Sequence, residues 1–383
     1  MKHAAAVLFL LGLALTGVAS ARDSLNVRLV GICGTPGLAF RVAARSDYAY
    51  AYIADQDAGL RVISVADSSH PVEVGHCDFR GRIVGVSTSM DYAYLADVDS
   101  GLRVVSIADP AHPVEVGYLR TTADANGVFA AGQYAYVAND TDGLLVVSVV
   151  DPAHPVEVGR CNTPGQACYV AVDVNYAYVA DNDSGLRVIS IADPAHPVEV
   201  GHCGTPAGAV GLAVAGGYAY VACDICGLRV ISVADPSHPI EVGACYSGGI
   251  DVAVDGDNVY VAADSRGLRV ISVRDPANPS EVGYYVTPTA LGVAASRGYI
   301  YLAVSSDGFA LLQYYGSGVE ESPGPMVSGR RPAATVAGRL PAGAIAFDAM
   351  GRRVLNPRSG IYFVRAVSRK PSAASCQKFI LAP

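Results

Sequence analysis

Residues 185–201 read Gly-Leu-Arg-Val-Ile-Ser-Ile-Ala-Asp-Pro-Ala-His-Pro-Val-Glu-Val-Gly, and this stretch recurs along the chain with few changes. Its opening glycine returns at six further positions, which are Gly59, Gly101, Gly143, Gly227, Gly267 and Gly308. The successive copies are spaced by 42, 42, 42, 42, 40 and 41 residues. A period of about 40–45 residues with four strands per unit is typical of β-propellers.

Each copy contains four short apolar stretches, as the copy around Gly185 illustrates. In chain order they are residues 169–174, 176–180, 186–191 and 198–200. Turns rich in Asp, Gly and Pro separate them, so each copy predicts one antiparallel sheet. We name the strands A to D from the ring axis outward.

The two ends of the repeat array complete each other. The seventh copy has strands A, B and C but then runs into Gly316-Ser317-Gly318 without a strand D. Residues 26–36 precede the first strand A and match residues 197–206, which contain a strand D. The N-terminal strand is therefore predicted to close the seventh blade, which leaves no unsealed edge in the ring.

These residues resemble the LVIVD-repeat family. Residues 185–194 match its central motif and residues 193–201 match the continuation. The resemblance covers about residues 25–316, is nearly complete in six copies, and weakens in the seventh, which lacks the Asp-Pro turn. It implies a bacterial or archaeal surface-exposed propeller, and it supplies no catalytic residues.

The composition agrees with a large buried core. Of the 383 residues, 51% are hydrophobic and only 16% are charged, against about 25% charged residues in typical globular domains. The net charge of −8 argues against nucleic acid as a partner, because phosphate binding requires a basic surface.

The N-terminus is typical of a secretory signal. Lys2 and His3 precede an apolar run from Ala4 to Leu15, and Ala19-Ser20-Ala21 offers small residues for cleavage before Arg22. We therefore predict a signal peptide at residues 1–21 and an extracellular or cell-surface location, with the periplasm as the alternative. An uncleaved anchor is the other reading, although the run is shorter than the roughly 20 residues that span a bilayer.

The composition changes after the ring. Residues 317–332 are rich in Pro, Gly and Ser and predict a linker. Residues 333–383 predict a small β-sandwich with strands at 344–347, 351–355, 360–365 and 377–381. Residues 348–354, 360–364 and 377–381 resemble the C-terminal sorting domain of type IX secretion substrates. A plain accessory sandwich is the alternative interpretation.

Paired aspartates occur in three of the turns between strands B and C. The pairs are Asp55 and Asp57, Asp97 and Asp99, and Asp181 and Asp183. Such carboxylates could bind Ca²⁺ together with backbone carbonyls, but Ca²⁺ takes about six to eight oxygens, and the later acids of a calcium loop are missing. Because Asp and Gly are also what a tight turn requires, we interpret these motifs as turns and keep Ca²⁺ as the alternative. No other cofactor is predicted.

One position near the start of strand A differs among the copies. It is glycine in four of them, at Gly85, Gly127, Gly211 and Gly292. The other three copies carry Arg41, Tyr169 and Asp251, although the first copy reaches Arg41 only after a two-residue insertion. Glycine permits inner strands to pack closely. The three exceptions are predicted to converge on the central funnel, where they either contact a ligand or fill the space and pair with each other.

The nine cysteines give no clear disulfide framework, and the odd number leaves at least one unpaired. Five follow strand D in different blades and are expected to fill space as small apolar side chains: Cys33, Cys77, Cys161, Cys203 and Cys245. Cys161 and Cys168 are the best candidates for a bridge. Cys223 and Cys226 form a Cys-x-x-Cys turn, expected as a local disulfide or as two free thiols rather than half of a zinc site. The histidines of the first five C–D turns, with Asn278 in the sixth, are interpreted as turn residues: His70, His112, His154, His196 and His238.

The sequence supports three hypotheses for function. The first is a non-enzymatic module that binds a protein or a glycan through the face bearing the B–C and D–A loops. The second is a propeller hydrolase or lyase with its site in the funnel at Arg41, Tyr169 and Asp251; it is weaker because few acids or histidines accompany Asp251. The third is a structural component of the cell envelope. No catalytic residue is predicted, and the oligomeric state stays open.

Overall fold

The computed structural model describes residues 24–45 and 49–316, together with the backbone of five short strands between residues 335 and 381. The chain divides into two compact units, Met1–Met326 and Val327–Pro383. The predicted signal peptide at 1–21 and the predicted linker at 317–332 lie outside the described residues. The first unit contains seven antiparallel sheets, six of four strands and one of five, so the all-β, seven-bladed propeller is confirmed.

The first four blades follow one another in chain order. The first contains β3 (Arg41–Ala44), β4 (Tyr50–Ala54), β5 (Leu60–Ser64) and β6 (Val72–Cys77). The second contains β7 (Ile83–Ser89), β8 (Tyr92–Asp97), β9 (Gly101–Ser106) and β10 (Val114–Leu119). The third contains β11 (Gly127–Ala131), β12 (Tyr134–Ala138), β13 (Leu144–Ser148) and β14 (Val156–Cys161). The fourth contains β15 (Tyr169–Asp173), β16 (Tyr176–Ala180), β17 (Leu186–Ser190) and β18 (Val198–Cys203).

The last three blades include the N-terminal strands β1 (Ser24–Leu25) and β2 (Val27–Cys33). The fifth contains β19 (Gly211–Ala215), β20 (Tyr218–Cys223), β21 (Gly227–Ser232) and β22 (Ile240–Cys245). The sixth contains β23 (Asp251–Asp255), β24 (Asn258–Ala262), β25 (Leu268–Ser272) and β26 (Ser280–Tyr285). The seventh contains β27 (Gly292–Ser296), β28 (Tyr299–Val304) and β29 (Gly308–Tyr314), and its outer strand is β2.

The N-terminal strand closes the ring as the sequence predicts. β2 pairs antiparallel with β29, with Val27 opposite Tyr314 and Cys33 opposite Phe309. The seventh blade therefore takes its strand D from the N-terminal end of the repeat array. The sequence did not predict β1, which adds a fifth strand to the sixth blade by pairing with β26.

The core lies between neighbouring blades. Within the described residues, one cluster of buried apolar side chains occupies each of the seven junctions. The cluster between the sixth and seventh blades joins Leu268 and Val270 to Ile300 and Leu312, and it includes Val27 of β2. Removing this apolar surface from water is worth about 25 cal/mol per Å², so each blade is stabilised chiefly by its two neighbours.

A glycine in strand D allows each blade to contact the next at the rim. A β-carbon built on Gly75 would lie 2.2 Å from the carbonyl oxygen of Pro110, in the C–D turn of the following blade. The same close approach recurs at Gly117, Gly159, Gly201 and Gly243. The seventh blade has no C–D turn of its own. The space beside Gly283 is filled instead by Leu25 of β1 and by the Tyr314 ring.

The histidines of the C–D turns fix the turns locally. In the second blade, Asp109 accepts from the backbone N–H of Ala111 at 3.1 Å, and its other carboxylate oxygen lies 2.9 Å from Nδ1 of His112. The hydrogen bond with His112 holds the pKa of Asp109 below its ordinary value. The first, third, fourth and fifth blades repeat the Asp–His contact, so each imidazole serves its own turn.

The second unit is a single five-stranded sheet as far as its backbone is described. Its strands are β30 (Thr335–Ala337), β31 (Ile345–Phe347), β32 (Arg353–Val354), β33 (Gly360–Arg365) and β34 (Cys376–Leu381). They are ordered β30-β34-β33-β31-β32, with β30 parallel to β34. Four of the five coincide with the strands predicted from sequence, while a two-sheet sandwich stays a prediction. Among all the residues described here, no helix is long and apolar enough to cross a membrane.

The closing strand offers a direct test of the ring. A β-carbon on Gly31 would lie 2.5 Å from both the carbonyl oxygen of Ser68 and Cδ of Pro71, where β2 meets the first blade. We expect Gly31→Ala to lower the free energy of unfolding by about 1–3 kcal/mol, because backbone must move. Urea denaturation of the purified protein measures the change.

Gly34→Ala is the matched control, because a β-carbon there has no neighbour within 4 Å and the residue lies just beyond the same strand. Its effect is expected to stay within about 0.5 kcal/mol. Equal stability of the two variants would contradict the docking of β2 against the first blade.

Candidate functional site

The position that varies among the copies forms one level of the ring. In every blade its residue pairs with an alanine of strand B, and the seven pairs are Arg41–Ala54, Gly85–Ala96, Gly127–Ala138, Tyr169–Ala180, Gly211–Ala222, Asp251–Ala262 and Gly292–Ala303. The insertion in the first copy therefore does not displace Arg41. The assignment of these seven residues to one structural position is confirmed.

The glycines at this level permit the inner strands to approach each other. A β-carbon on Gly211 would lie 2.7 Å from Cα of Asp251 in the next blade. A β-carbon on Gly292 would lie 2.7 Å from Cα of Arg41, across the junction that closes the ring. Real β-carbons do not come this close, so glycine is required where the following blade carries a large side chain.

The three exceptions meet at the axis. The guanidinium of Arg41 in the first blade forms an ion pair with Asp251 of the sixth blade through Nη1. It also lies over the ring of Tyr169 in the fourth blade, 4.7 Å from the ring centre, and Nη2 donates to the carbonyl of Val210 at 3.4 Å. The other oxygen of Asp251 accepts from the N–H of Val293 at 3.0 Å. The predicted convergence of Arg41, Tyr169 and Asp251 is therefore observed.

Burial dominates the electrostatics of this cluster. Arg41 is 6% exposed and Asp251 is 2% exposed. Burial raises the pKa of Asp251 even though the Arg41 charge opposes that shift. For Arg41, burial disfavours the cation, but attraction to the Asp251 carboxylate leaves its pKa raised, so the guanidinium stays charged. Burial likewise raises the pKa of the Tyr169 hydroxyl, with the Asp251 charge adding to the shift, so Tyr169 stays neutral.

Arg41 also lines a cavity of about 460 Å³ on the face that bears the B–C and D–A loops. We call this cavity the funnel. Its apolar wall is formed by Phe40, Val84, Val98, Val210 and Ile250, and its polar groups come from Gln56, Arg82, Asp124, Asn126, Asp140, Gln166, Cys168 and Asp224. Of Arg41, Tyr169 and Asp251, only Arg41 is among the described residues that line the funnel. Its Nε is buried and has no hydrogen-bond partner among them. Tyr169 and Asp251 hold Arg41 in place.

The polar residues from the B–C turns are held in an unusual backbone conformation. Gln56, Asp140 and Asp224 occupy the second position of their turns at φ angles of 42°, 42° and 31°. Each pairs through its backbone with the next blade, as the bridge between Asp140 and Ala167 illustrates. The turns are thereby fixed at the blade junctions, which directs ordered side chains towards the funnel. Only Asn, Asp and Gly adopt such angles readily, so Gln56 carries backbone strain.

The paired aspartates do not act together. Asp55 is fully buried and accepts from the Thr35 hydroxyl at 2.7 Å and from the N–H of Gly37 at 2.9 Å. Asp181 binds Thr163 and Gly165 in the same way, and burial raises the pKa of both carboxyls. In the second blade, Nε of Arg103 donates to Asp97 at 2.6 Å.

The second aspartate of each pair, Asp57, Asp99 or Asp183, is exposed. Within the described residues, no group of three or more His, Cys, Asp or Glu side chains is placed to hold a metal ion. The geometry favours the turn interpretation, because Asp55 and Asp181 bind the loop before their own blade, and Asp97 accepts from Arg103 and from the N–H of Asp99.

The eight cysteines within residues 24–45 and 49–316 are free thiols. The bridge suggested for Cys161 and Cys168 is not formed, because Cys161 packs against the core between the third and fourth blades while Cys168 lines the funnel. Burial raises the pKa of the Cys168 thiol to about 11. The five cysteines that follow strand D pack against the apolar clusters, as expected for small space-filling side chains.

Comparison with models of protein families shows the family of this chain. The model described as the LVIVD repeat matches six successive segments that together cover more than half of the sequence: residues 36–79, 80–121, 123–163, 164–205, 207–247 and 249–287. The chain belongs to the LVIVD repeat family. Each matched LVIVD repeat contains the four strands of one blade, and the seventh blade, which lacks its own strand D, lies outside the matches.

Solved structures share the fold of this LVIVD-repeat protein at low sequence identity. U3-55K aligns with a TM-score of 0.61 at 11% identity, covering 75% of this chain and 98% of that one. The WD40 repeats of RRP9 align with a TM-score of 0.61 at 10% identity, and the alignment covers 76% of this chain and 97% of that one. The computationally designed protein Ika8 aligns with a TM-score of 0.56 at 10% identity, and the alignment covers 75% of this chain and 99% of that one. No curated protein sequence matches the chain. These similarities show the propeller fold alone.

Sequence reasoning missed most of the funnel lining. Gln56, Asp140 and Asp224 occupy the second position of the B–C turn, which lies between the two positions that carry the paired aspartates in the first, second and fourth blades. The signal was the variation at that position among LVIVD repeats, since it reads Gln, Val, Asp, Asn, Asp, Asp and Ser in successive blades. Residues that the repeat does not fix are candidates for a specific role.

The axial ion pair predicts a pH-dependent stability defect. Arg41→Met leaves the buried Asp251 carboxylate without its partner, and we expect the free energy of unfolding to fall by about 3–5 kcal/mol at pH 7. Burial already raises the pKa of Asp251, and loss of Arg41 raises it further. A folded-state pKa above the unfolded value means that the folded variant takes up a proton, so the defect shrinks as the pH falls through that pKa.

Urea denaturation at pH 7 and at lower pH measures this defect, with Arg41→Met/Asp251→Asn as the control. The double variant is expected to recover part of the loss and to lose the extra pH dependence. A defect below about 0.5 kcal/mol, or one that does not change with pH, would contradict a desolvated pair.

Proposed function

We propose that this LVIVD-repeat propeller is an exported, surface-exposed or secreted binding module that holds a carbohydrate chain in the funnel. The observation that carries the proposal is a cavity of ligand size with a rigid cationic floor and polar groups at its mouth. A volume of about 460 Å³ lies within the range of about 300–1,000 Å³ found for small-molecule sites.

The mouth of the funnel carries polar groups that are not committed elsewhere. Among residues 24–45 and 49–316, the carboxylates of Asp124, Asp140 and Asp224 form no ion pair. They come from two different blades and are not clustered closely enough to hold one metal ion. Carboxylates accept hydrogen bonds from hydroxyl groups, and the amide of Gln56 can both donate and accept. This arrangement suits a polyhydroxylated ligand wider than an ion.

The floor and wall complement such a ligand. The guanidinium of Arg41 is held by Asp251 and Tyr169, so its positive charge is fixed at the floor of the funnel, where it attracts the oxygen atoms of a ligand. The apolar wall, with Phe40 among its residues, covers the carbon faces of a sugar ring. A protein loop that enters the funnel is the second candidate occupant, and binding assays separate the two.

Catalysis in the funnel is the weaker proposal. A propeller hydrolase or lyase would use acids or bases free to exchange protons with substrate. Asp251 is instead buried, paired with Arg41 and bonded to the backbone of Val293. A structural role in an envelope layer would need no funnel with uncommitted polar groups, and no metal is required for the proposed binding.

Export rests on the sequence. Residues 1–21 are typical of a signal peptide, and residues 333–383 are similar to sorting domains of type IX secretion substrates. A carbohydrate-binding module at the cell surface or in the medium would meet polysaccharides directly. Fractionation of cells that express the full chain, with and without residues 333–383, tests the location.

Funnel variants test the binding proposal. A glycan array probed with the secreted protein identifies ligands, and the affinity for them is then measured by calorimetry. We expect Asp140→Asn/Asp224→Asn to weaken binding about 10-fold or more, because two charged acceptors each contribute about 1 kcal/mol or more.

Asp257→Asn is the control for loss of a carboxylate outside the funnel, since Asp257 is exposed in an A–B turn on the opposite face and pairs with Arg274. Affinity of this variant should equal that of the wild type. Absence of any glycan ligand, with capture of one protein partner that funnel variants lose, would move the proposal to a protein ligand. Glycan binding unaffected by the funnel substitutions would refute the site.

A further inference from the structure

The fifth blade replaces the buried turn aspartate with a pair of cysteines. Its B–C turn is Cys223-Asp224-Ile225-Cys226, between β20 and β21. Cys223 occupies the place of Asp55 and Asp181, and it is fully buried. Its thiol donates to the carbonyl of Ala207 at 3.1 Å, which ties down the preceding D–A loop as the carboxylates do elsewhere.

The turn brings the two cysteines within bonding reach. The N–H of Cys226 donates to the carbonyl of Cys223 at 2.7 Å, which defines a tight turn. The Cα atoms of the first and fourth residues of such a turn are less than about 7 Å apart, and disulfides span Cα separations of about 4.4–6.8 Å. Backbone spacing therefore permits a bond between Cys223 and Cys226.

The equivalent turns show that the two side chains face the same point. In the first blade, a β-carbon built on Gly37 would lie 2.8 Å from Cβ of Ala58 and 3.0 Å from Oδ2 of Asp55. In the fourth blade, a β-carbon on Gly165 would lie 2.9 Å from Oγ of Ser184 and 3.0 Å from Oδ2 of Asp181. First and fourth side chains of this turn thus converge, and in the fifth blade both are thiols.

The two thiols differ in access. Burial raises the pKa of the Cys223 thiol, and a thiolate at the nearby Cys226 raises it further. Cys226 is partly exposed, and the neighbouring Ile225 is 81% exposed, so the turn is open to solvent. Accessible thiols react first in thiol–disulfide exchange, which makes Cys226 the attacking group and Cys223 the resolving group.

We propose that Cys223 and Cys226 are a disulfide modification site, oxidised by exchange with a low-molecular-weight disulfide. The Cys226 thiolate attacks one sulfur of the small disulfide, forming a mixed disulfide and releasing one thiolate. Cys223 then gives up its proton and attacks Sγ of Cys226, which forms the protein disulfide and releases the second small thiolate. The protein loses two hydrogen atoms, and one small disulfide is reduced to two thiols.

Oxidation of this turn acts on the funnel, a consequence that rests on the proposed function. The Cys223 thiol can no longer donate to Ala207, so the D–A loop of the fifth blade loses that hydrogen bond. This loop leads to Val210, which lines the funnel and accepts from Arg41. Asp224 lies inside the new disulfide ring and also lines the funnel. The bond therefore adjusts the fifth-blade side of the ligand site.

Peptide mapping tests the modification without any ligand. The full-length protein is equilibrated with oxidised glutathione, free thiols are alkylated, and peptides are analysed by mass spectrometry. We expect the peptide containing Cys223 and Cys226 to lose two hydrogen atoms and its alkylation, while Cys161 and Cys168 stay alkylated as separate thiols. Recovery of Cys223 and Cys226 as free thiols or as two glutathione adducts would overturn the proposal.

Cys226→Ser supplies the control, because Cys223 should then remain a buried thiol that is alkylated only after unfolding. The coupling to the funnel is tested separately, by comparing glycan affinity of the oxidised and reduced proteins. If the disulfide forms but glycan affinity does not change, the modification site is supported and its coupling to the funnel is refuted. A protein with no glycan ligand loses the proposed function but not the disulfide.

Discussion

The antiparallel pairing of β2 with β29 is the contact on which the rest of the structure depends. It supplies the missing strand of the seventh blade and carries Val27 into the core beside the sixth blade. It also brings the first blade against the seventh, where Gly292 packs on the backbone of Arg41. Only a closed ring places Arg41 where it can reach the sixth blade and form an ion pair with Asp251. The site therefore exists as a consequence of closure.

Closure by itself would give seven equivalent blades, and function requires them to differ. At the axial level, glycine precedes each of the three large side chains, so the backbones can pack while the side chains extend across the axis. At the mouth, the second turn residue varies from blade to blade and sets the chemistry of the funnel. The repeat thus provides a rigid frame, in which the individual departures provide the specificity.

The periodic features could be predicted from sequence because they depend on local pattern. The spacing of Gly59, Gly101 and their successors predicts seven blades, and the match between residues 26–36 and 197–206 predicts the closing strand. The level shared by Arg41, Tyr169 and Asp251 followed from the same alignment. Pairing among the three was one of the two alternatives, but the choice between pairing and ligand contact did not follow, because an ion pair between the first and sixth blades depends on side-chain reach across the axis. No sequence pattern predicts that Asp55 pairs with Thr35 or that β1 joins the sixth blade. The prediction of a bridge between Cys161 and Cys168 was wrong, because Cys161 packs against an apolar cluster whereas Cys168 lines the funnel.

Native-state hydrogen exchange measures the closure most directly. Amides that open only when the whole ring unfolds share one exchange free energy, whereas locally frayed strands exchange faster. The account predicts that the hydrogen-bonded amides of β2 and β29 exchange with the same free energy as those of the inner strands, and that destabilising β2 lowers all of them together. Exchange of β2 and β29 well ahead of the other blades, with the inner strands unaffected, would show a ring that does not depend on its N-terminal strand and would contradict the account.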